Sequence, residues 1–307
     1  MQDSTETILM IWIPMICLFL GVLIVSSYSK VSRKRMYWEL NDDSKNSAIS
    51  NAISRNQFDE ILKYLHFCNN DKLNPDDKFC KIRPLLDLMN ERFLKNTVYN
   101  ELRFDVDESM IPYFGRHPTK QSMRNKPVRF GFKMYCLNQP SGYLIYCDPY
   151  QGKGSGHHEF SGFGLSGGTV LYLVNKLLVK GIIYMDNFFS SIKLFNELTK
   201  MGFGAVGTFR NRRINDLPSH LLHNAPRGTF NCFTKENEAG HSVMVTEVVD
   251  NSIVIIGSNV IQSQPLEELQ RFSKVERKKV TIRFPSILLD YNSFMGGTDK
   301  MDQFISG

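Results

Sequence analysis

Near residue 100 the hydrophobic period of the chain changes, and this change constrains the fold more than any other feature. Upstream, Phe58, Ile61, Leu62 and Leu65 recur at i, i+3, i+4 and i+7, the apolar face of a helix. A second helix is expected from about Pro84, with Leu85, Leu88, Met89 and Phe93 inward and the proline near its first turn. The polar segment 69–77 turns the chain between them. Downstream, Leu102, Phe104 and Val106 alternate with Arg103, Asp105 and Asp107, the pattern of a half-buried strand. Residues 128–137 and 143–148 flank Pro140-Ser141-Gly142 as a hairpin. A glycine-rich loop, 152–168, leads into a helix expected over 169–180. Then come the short apolar strand 182–185, ending at Asp186-Asn187, a helix over 190–201 and a strand over 203–209. Three antiparallel strands followed by helix, strand, helix, strand predict a mixed α/β sheet.

Residues 213–284 are more polar, with short β-like pieces at 242–249 and 252–257, and read as a small β-rich insertion. In the tail, Gly296-Gly297 precedes Thr298-Asp299, a helix N-cap signal. With 42% apolar and 22% charged residues the chain is neither disordered nor collagen-like. Thirty-seven Lys and Arg against 31 Asp and Glu give a net charge of +6, a mild lean toward anionic partners. The six cysteines form no CxxC pair and no Cys/His cluster, which excludes a zinc ribbon and points to a reducing compartment.

The apolar run from Ile8 to Val25 carries no charge and is long enough to nominate a membrane span. Lys30, Arg33, Lys34 and Arg35 after it would put the following chain in the cytoplasm. The acidic leader, with no small-residue cleavage site, argues against a cleaved signal peptide. Pro14 and Gly21 interrupt the run, and one or two buried helices are the alternative reading.

Three aspartates stand where a catalytic metal site would want them. Asp107 lies on the first strand, Asp186 at the end of a later strand and Asp299 at the start of the last helix, with Asp302 one turn on. Strand ends in open α/β sheets project into a crevice where ligands bind. Carboxylates converging there repel one another unless a cation intervenes. Two Mg²⁺ (or Mn²⁺) about 3.5–4 Å apart would supply that charge and clamp an in-line phosphoryl displacement. Taken singly, each acid reads first as a cap, a strand end or a surface group, and spacing alone does not show that they meet. Gly162-Phe163-Gly164-Leu165-Ser166-Gly167 lacks the immediately preceding strand of a dinucleotide fingerprint. His157-His158-Glu159 lacks the i, i+4 spacing of a helical metal motif.

Asp107-Glu108-Ser109-Met110-Ile111-Pro112-Tyr113-Phe114-Gly115-Arg116, followed by Asn125-Lys126-Pro127 and Gly131-Phe132-Lys133, resembles the opening of a piggyBac-type transposase core. Asp186-Asn187-Phe188-Phe189-Ser190-Ser191, Gly207-Thr208-Phe209-Arg210-Asn211-Arg212 and the run from Asp290-Tyr291 through Gly296-Gly297-Thr298-Asp299-Lys300-Met301-Asp302-Gln303 continue it in order. Leu65-His66-Phe67 and the segment 81–87 resemble the family upstream, so that the likeness covers about residues 8–307. It implies an RNase H-like fold, an α/β mixed sheet with a DDD transposase core, that cuts and joins DNA. Asp107, Asp186 and Asp299 would be the metal ligands, with Asp302 as accessory acid and two Mg²⁺ or Mn²⁺ as cofactors. It further implies TTAA target sites, a homodimer and a nuclear location. The run from Ile8 to Val25 becomes part of an N-terminal helical lobe, and a membrane-anchored product is the minority alternative.

The resemblance divides the chain into an N-terminal helical region (1–100), a first core part (101–212), the β-rich insertion (213–284) and a last core part (285–307). Arg210, Arg212 and Arg213, together with Lys274, Arg277, Lys278 and Lys279, become candidate phosphate contacts. Thr298 departs from the family, which places an aliphatic residue before the third acid. The chain stops five residues after Asp302, where the family continues, so a truncated or domesticated copy is expected. The alternative is a catalytically inactive remnant that binds DNA or protein.

Overall fold

The computed structural model describes residues 2–41, 43–124, 126–152, 157–214, 222–236, 240–273 and 276–306, with side chains from Ile13 onward. They form two units, one of residues up to Asn74 with 80–84 and the last residues from Ser306, the other of 75–79 and 85–305.

The first unit is helical. Helix α1 (Gln2–Tyr28) runs unbroken through Pro14 and Gly21, where interruptions were expected. Pro14 forfeits only one intrahelical bond, too little to stop so long a helix once one side is packed. Phe19 and Val22 are buried against Tyr37, Ile49, Ile53, Phe58 and Ile61, while Ile13, Leu20 and Ile24 are exposed. Among the described residues no helix is long and apolar enough to cross a membrane. Asn46 caps α2 (Ser47–Ala52), and Ser54 with Gln57 forms a capping box on α3 (Arg55–Tyr64). Of the four apolar positions expected on one face of α3, Phe58 and Ile61 are buried and Leu62 and Leu65 are exposed. Only the stripe facing Phe19 is covered, its ring 5.0 Å from that of Phe58.

The second unit contains α4 (Arg83–Asn96) from Leu85 onward and a nine-stranded sheet. Strand β1 (Arg103–Pro112) pairs antiparallel with β3 (Phe130–Asn138), whose far edge carries β2 (Gln121–Ser122) and β4 (Leu144–Pro149). On its other side β1 runs parallel to β5 (Ile182–Met185), and β5 parallel to β6 (Gly204–Thr208). Helices α5 (Gly164–Val174) and α6 (Ile192–Lys200) supply Val170, Leu173, Leu194 and Phe195 to a cluster with Phe104, Val106 and Ile183. Tyr184, Val206 and Ile256 pack instead with Ile287 of α7 (Ser286–Phe294). Strands covered on both faces hide even their polar positions. Asp105, expected on an open face, is therefore fully buried.

Two further differences have clear causes. Helix α5 starts at Gly164 rather than 169, with Gly167 and Gly168 inside it. A Cβ at Gly168 would lie 3.2 Å from the Phe160 carbonyl, so the glycines bring the helix close to the preceding turn rather than breaking it. Residues 213–284 divide between two structures. Strands β7 (Phe230–Glu236), β8 (Ser242–Val249) and β9 (Ile253–Ser258) extend the main sheet, β9 running antiparallel to β6. Strands β10 (Leu266–Ser273) and β11 (Lys278–Pro285) form a separate two-stranded ribbon. The chain then passes through α7 into α8 (Gly297–Ser306).

Strand β4 lies on an edge, and Asn90 of α4 closes part of it. The Asn90 amide donates to the Cys147 carbonyl and its oxygen accepts from the Cys147 N–H, both at 2.9 Å and buried. Asn90→Ala strands two buried backbone groups and should cost about 2–4 kcal/mol. Urea unfolding should show this as a lowered midpoint at unchanged slope.

Candidate functional site

The β1–β5 register sets the site. Val106 pairs with Met185, and the next residue on each strand is an acid, Asp107 and Asp186. Asp107 stays within β1, opposite Cys136 of β3, at the level where β5 ends and the Asp186 turn begins, so the two acids stand at the C-terminal end of β5, where strand termini open toward ligands. The Asp186 carboxylate accepts the Phe188 N–H at 2.8 Å, and its carbonyl accepts the Ser190 hydroxyl at 2.9 Å. Arg213 pins the same turn by donating to the carbonyls of Phe188 (2.9 Å) and Ser190 (2.8 Å). Arg210 donates to the Asn187 side chain at 3.0 Å.

Helix α8 brings the other two acids. Asp299, in its first turn, is largely exposed, and its Oδ1 is 4.0 Å from the Lys126 ammonium. The same ammonium lies 3.5 Å from Asp107 Oδ2 and donates to the Glu108 carbonyl at 2.9 Å. Asp302 is tied back to β1 by the Ser109 hydroxyl, which donates to it at 2.5 Å. Burial alone would pull Lys126 down, but Asp107, Asp299, Glu108 and Asp302 together hold it above its ordinary range. It stays a cation among four carboxylates. Beneath it, Glu108 pairs with buried Lys133 at 2.9 Å, and that ammonium rests over the Phe188 and Tyr135 rings.

The acids are electrostatically crowded. Burial pushes Asp105 up to about 7, against two hydrogen bonds from Thr298. Burial likewise raises Asp107, with the neighbouring Glu108 adding to the effect and Lys126 opposing it. Asp186 and Asp302 are also raised, first by burial. The Tyr291 hydroxyl on α7 feels the charges of Asp186, Asp107 and Asp105 together.

Such groups keep a proton in the folded chain at pH values where the unfolded chain has lost it. For Asp105, the stabilising contribution is complete below its ordinary pKa of 3.8 and is lost as pH rises toward about 7. The metal-free protein should therefore melt at lower temperature at about pH 8 than at about pH 5. Mn²⁺ should raise the melting temperature more at the higher pH. Melts giving equal Mn²⁺ shifts at both pH values would contradict this.

These oxygens suit a hard divalent ion, and one cation, the Lys126 ammonium, already stands between two of them. Among the described residues, no three Asp, Glu, His or Cys side chains converge closely enough to hold one ion. Asp107, Asp299 and Asp302 are gathered around Lys126, whereas Asp186 makes its own contacts on the adjacent strand end. Arg210 and Arg212 are exposed beside the Asp186 turn, while Arg213 is engaged in it. Arg277, Lys278 and Lys279 sit at the exposed end of the β10–β11 ribbon, Lys278 paired with Glu276 at 3.0 Å. Lys274 lies outside the described residues. Lys126, Lys133 and Glu108 lie in the family-like segments, but nothing in the sequence assigns them a role. Glu108 and Lys133 are charged residues inside strand-like stretches, while Lys126 lies in the bend before β3.

A family profile described as "Transposase IS4" matches residues 15–307. The chain belongs to the piggyBac-type transposase family. It is 39% identical over 295 residues to human PiggyBac transposable element-derived protein 3, covering 94% of this chain and 49% of that protein. It is 35% identical over 294 residues to human PiggyBac transposable element-derived protein 2, with the same coverage of 94% and 49%. The chain thus spans about half the length of the curated relatives it matches. A cryo-EM structure of a piggyBac transposase synaptic complex with hairpin DNA shares the fold, with a TM-score of 0.74 at 22% identity over 95% of this chain and 59% of that one. The α/β architecture with its large mixed sheet is that of a piggyBac transposase.

Proposed function

We propose that this chain carries the DNA-cleaving and strand-transferring centre of a piggyBac-type transposase. Asp107, Asp186 and Asp299 would be the ligands of two Mg²⁺ or Mn²⁺, and Asp302 the accessory acid. The observation that carries this reading is the parallel β1–β5 pairing, which sets Asp107 within β1 at the level where Asp186 follows the end of β5, with Lys126 joining Asp107 to Asp299. The strand order β4-β3-β1-β5-β6, three antiparallel strands and then two parallel ones, supports an RNase H-like core.

Bound there, two divalent ions would lower the pKa of an attacking water or 3′-hydroxyl and offset the charge of the leaving oxygen. The chain's own residues do the positioning. Asp107 and Asp186 are held by sheet strands, and Arg213 fixes the turn after Asp186. Exposed Arg210 and Arg212 face outward beside that turn and would take DNA phosphates. Lys126 would leave the acids for a phosphate as the metal arrives. TTAA targets, a homodimer and a nuclear location extend this reading from the family.

A second reading, DNA binding without cleavage, is favoured by the ammonium standing between Asp107 and Asp299. Supercoiled plasmid with Mg²⁺ or Mn²⁺ separates the two. Nicked circles in excess of an Asp107→Asn control support the nuclease. Salt-sensitive retardation with no nicking in either metal overturns it in favour of the second reading.

A further inference from the structure

Asp105 is not among the proposed metal ligands, yet it is wholly buried in β1, paired with Asn138 on one side and Tyr184 on the other. A carboxyl there is costly unless hydrogen bonds repay its lost water. One oxygen receives two bonds from a single residue of α8, the Thr298 N–H at 3.0 Å and the Thr298 hydroxyl at 2.8 Å. The other has no partner among the described residues and lies against Gly297, where a Cβ would come within 2.0 Å of it. Asn138 completes the cradle, its oxygen 3.3 Å from the same hydroxyl and its amide 3.4 Å from the Met301 sulfur. Everything in this cluster closes on the first turn of α8.

The next residue is Asp299. Among the described residues its own side chain has no ion pair closer than that with Lys126 at 4.0 Å, and α8 is only ten residues long. A helix that short is marginal unless packed. Asp105 and Asp107 are two residues apart on β1, so they share a face of the strand. One strand therefore presents Asp107 directly and Asp299 through the anchored helix. Thr298, the departure from the aliphatic residue of piggyBac-like proteins, supplies the hydroxyl that this acid needs.

We propose that Asp105 is a positioning residue for the metal site: through Thr298 it fixes the first turn of α8 and so sets where Asp299 stands relative to Asp107. The inference rests on the reading of Asp299 as a metal ligand. Thr298→Val keeps the shape of the side chain and removes the hydroxyl, Thr298→Ser keeps the hydroxyl, and Asp105→Asn replaces the carboxyl oxygen that accepts both bonds with a neutral amide oxygen, a weaker acceptor. Mn²⁺ binding by calorimetry, on protein with no DNA present, should weaken about tenfold in Thr298→Val and in Asp105→Asn and stay within about twofold of the parent in Thr298→Ser. Amide exchange in the metal-free protein should quicken over 298–301 in the first two variants and remain unchanged in β5. Asn90→Ala is the control for general destabilisation, with a lowered melting temperature and an unaltered Mn²⁺ affinity. If Thr298→Val and Asp105→Asn lower the melting temperature but leave Mn²⁺ affinity untouched, the pair is a structural cap and the proposal is wrong while the metal reading stands. If the parent chain binds no Mn²⁺, the metal reading fails and the proposal falls with it.

Discussion

Asp186→Asn should abolish metal-dependent nicking, with a loss on the order of a thousandfold, equivalent to about 4 kcal/mol of transition-state stabilisation. The substitution preserves shape. An asparagine oxygen can still accept the Phe188 N–H, and the Ser190 and Arg213 contacts run to backbone carbonyls, so the turn after β5 should survive. What is lost is negative charge where a cation must be held. Burial already disfavours that charge in the metal-free chain, so Asp186→Asn should melt at the same or a higher temperature than the parent. Stability and activity would thus move apart. A variant that loses nicking only in proportion to a falling melting temperature would show Asp186 to be structural.

Lys126→Met should tighten divalent-metal binding while it weakens cleavage. The ammonium lies 3.5 Å from Asp107 and 4.0 Å from Asp299, within the field of Asp302 and Glu108 as well. Opposite charges at about 4 Å in a partly buried setting interact by about 4 kcal/mol, so a divalent ion entering there must displace a well-held competitor. Lysine retains water and the Glu108 carbonyl as partners when displaced, so the gain on removing it is smaller, about tenfold in affinity. Methionine fills the space of the stem without the charge. At saturating Mn²⁺ the variant should nick more slowly, because the cation that would turn to the DNA phosphate is gone. Calorimetry showing weaker Mn²⁺ binding in Lys126→Met would mean that the lysine holds the acids in place rather than competing for them.

Elements with an unambiguous period were legible in the sequence. The alternation at 102–107, the apolar 182–185 segment and the Pro140-Ser141-Gly142 hairpin all fall on strands or turns of the structure. What the period does not report is what covers each face. Asp105 alternates correctly with Phe104 and Val106, yet α7 and α8 close over its side of the sheet, and no local pattern announces a helix from almost 200 residues away. The glycines at 167–168 read as loop because helix propensity disfavours them, but the close Phe160 turn outweighs that penalty. The β-rich stretch 213–284 was recognised as strands, whereas its pairing with β6 is a long-range choice of partner.

The candidate site divides in the same way. Asp186 and Asp299 stand out at element ends and all four acids in the family-like motifs, both local properties. Lys126, Glu108 and Thr298 act by contacts across large sequence separations, Lys126 reaching Asp299 and Thr298 reaching Asp105. In the sequence Arg213 stands in a basic cluster that the family resemblance makes a candidate phosphate contact. One nitrogen of its guanidinium donates to two backbone carbonyls, an arrangement that only the folded turn creates.

Titration of the DNA-free chain with Mn²⁺, followed by calorimetry and by the electron spin resonance of the free ion, tests the central claim most directly. About two ions should bind per chain, with Asp107→Asn and Asp186→Asn each removing the tighter binding and leaving the melting temperature of the metal-free protein undiminished. Absence of binding, or binding that both variants leave unchanged, would contradict a metal site built from these acids.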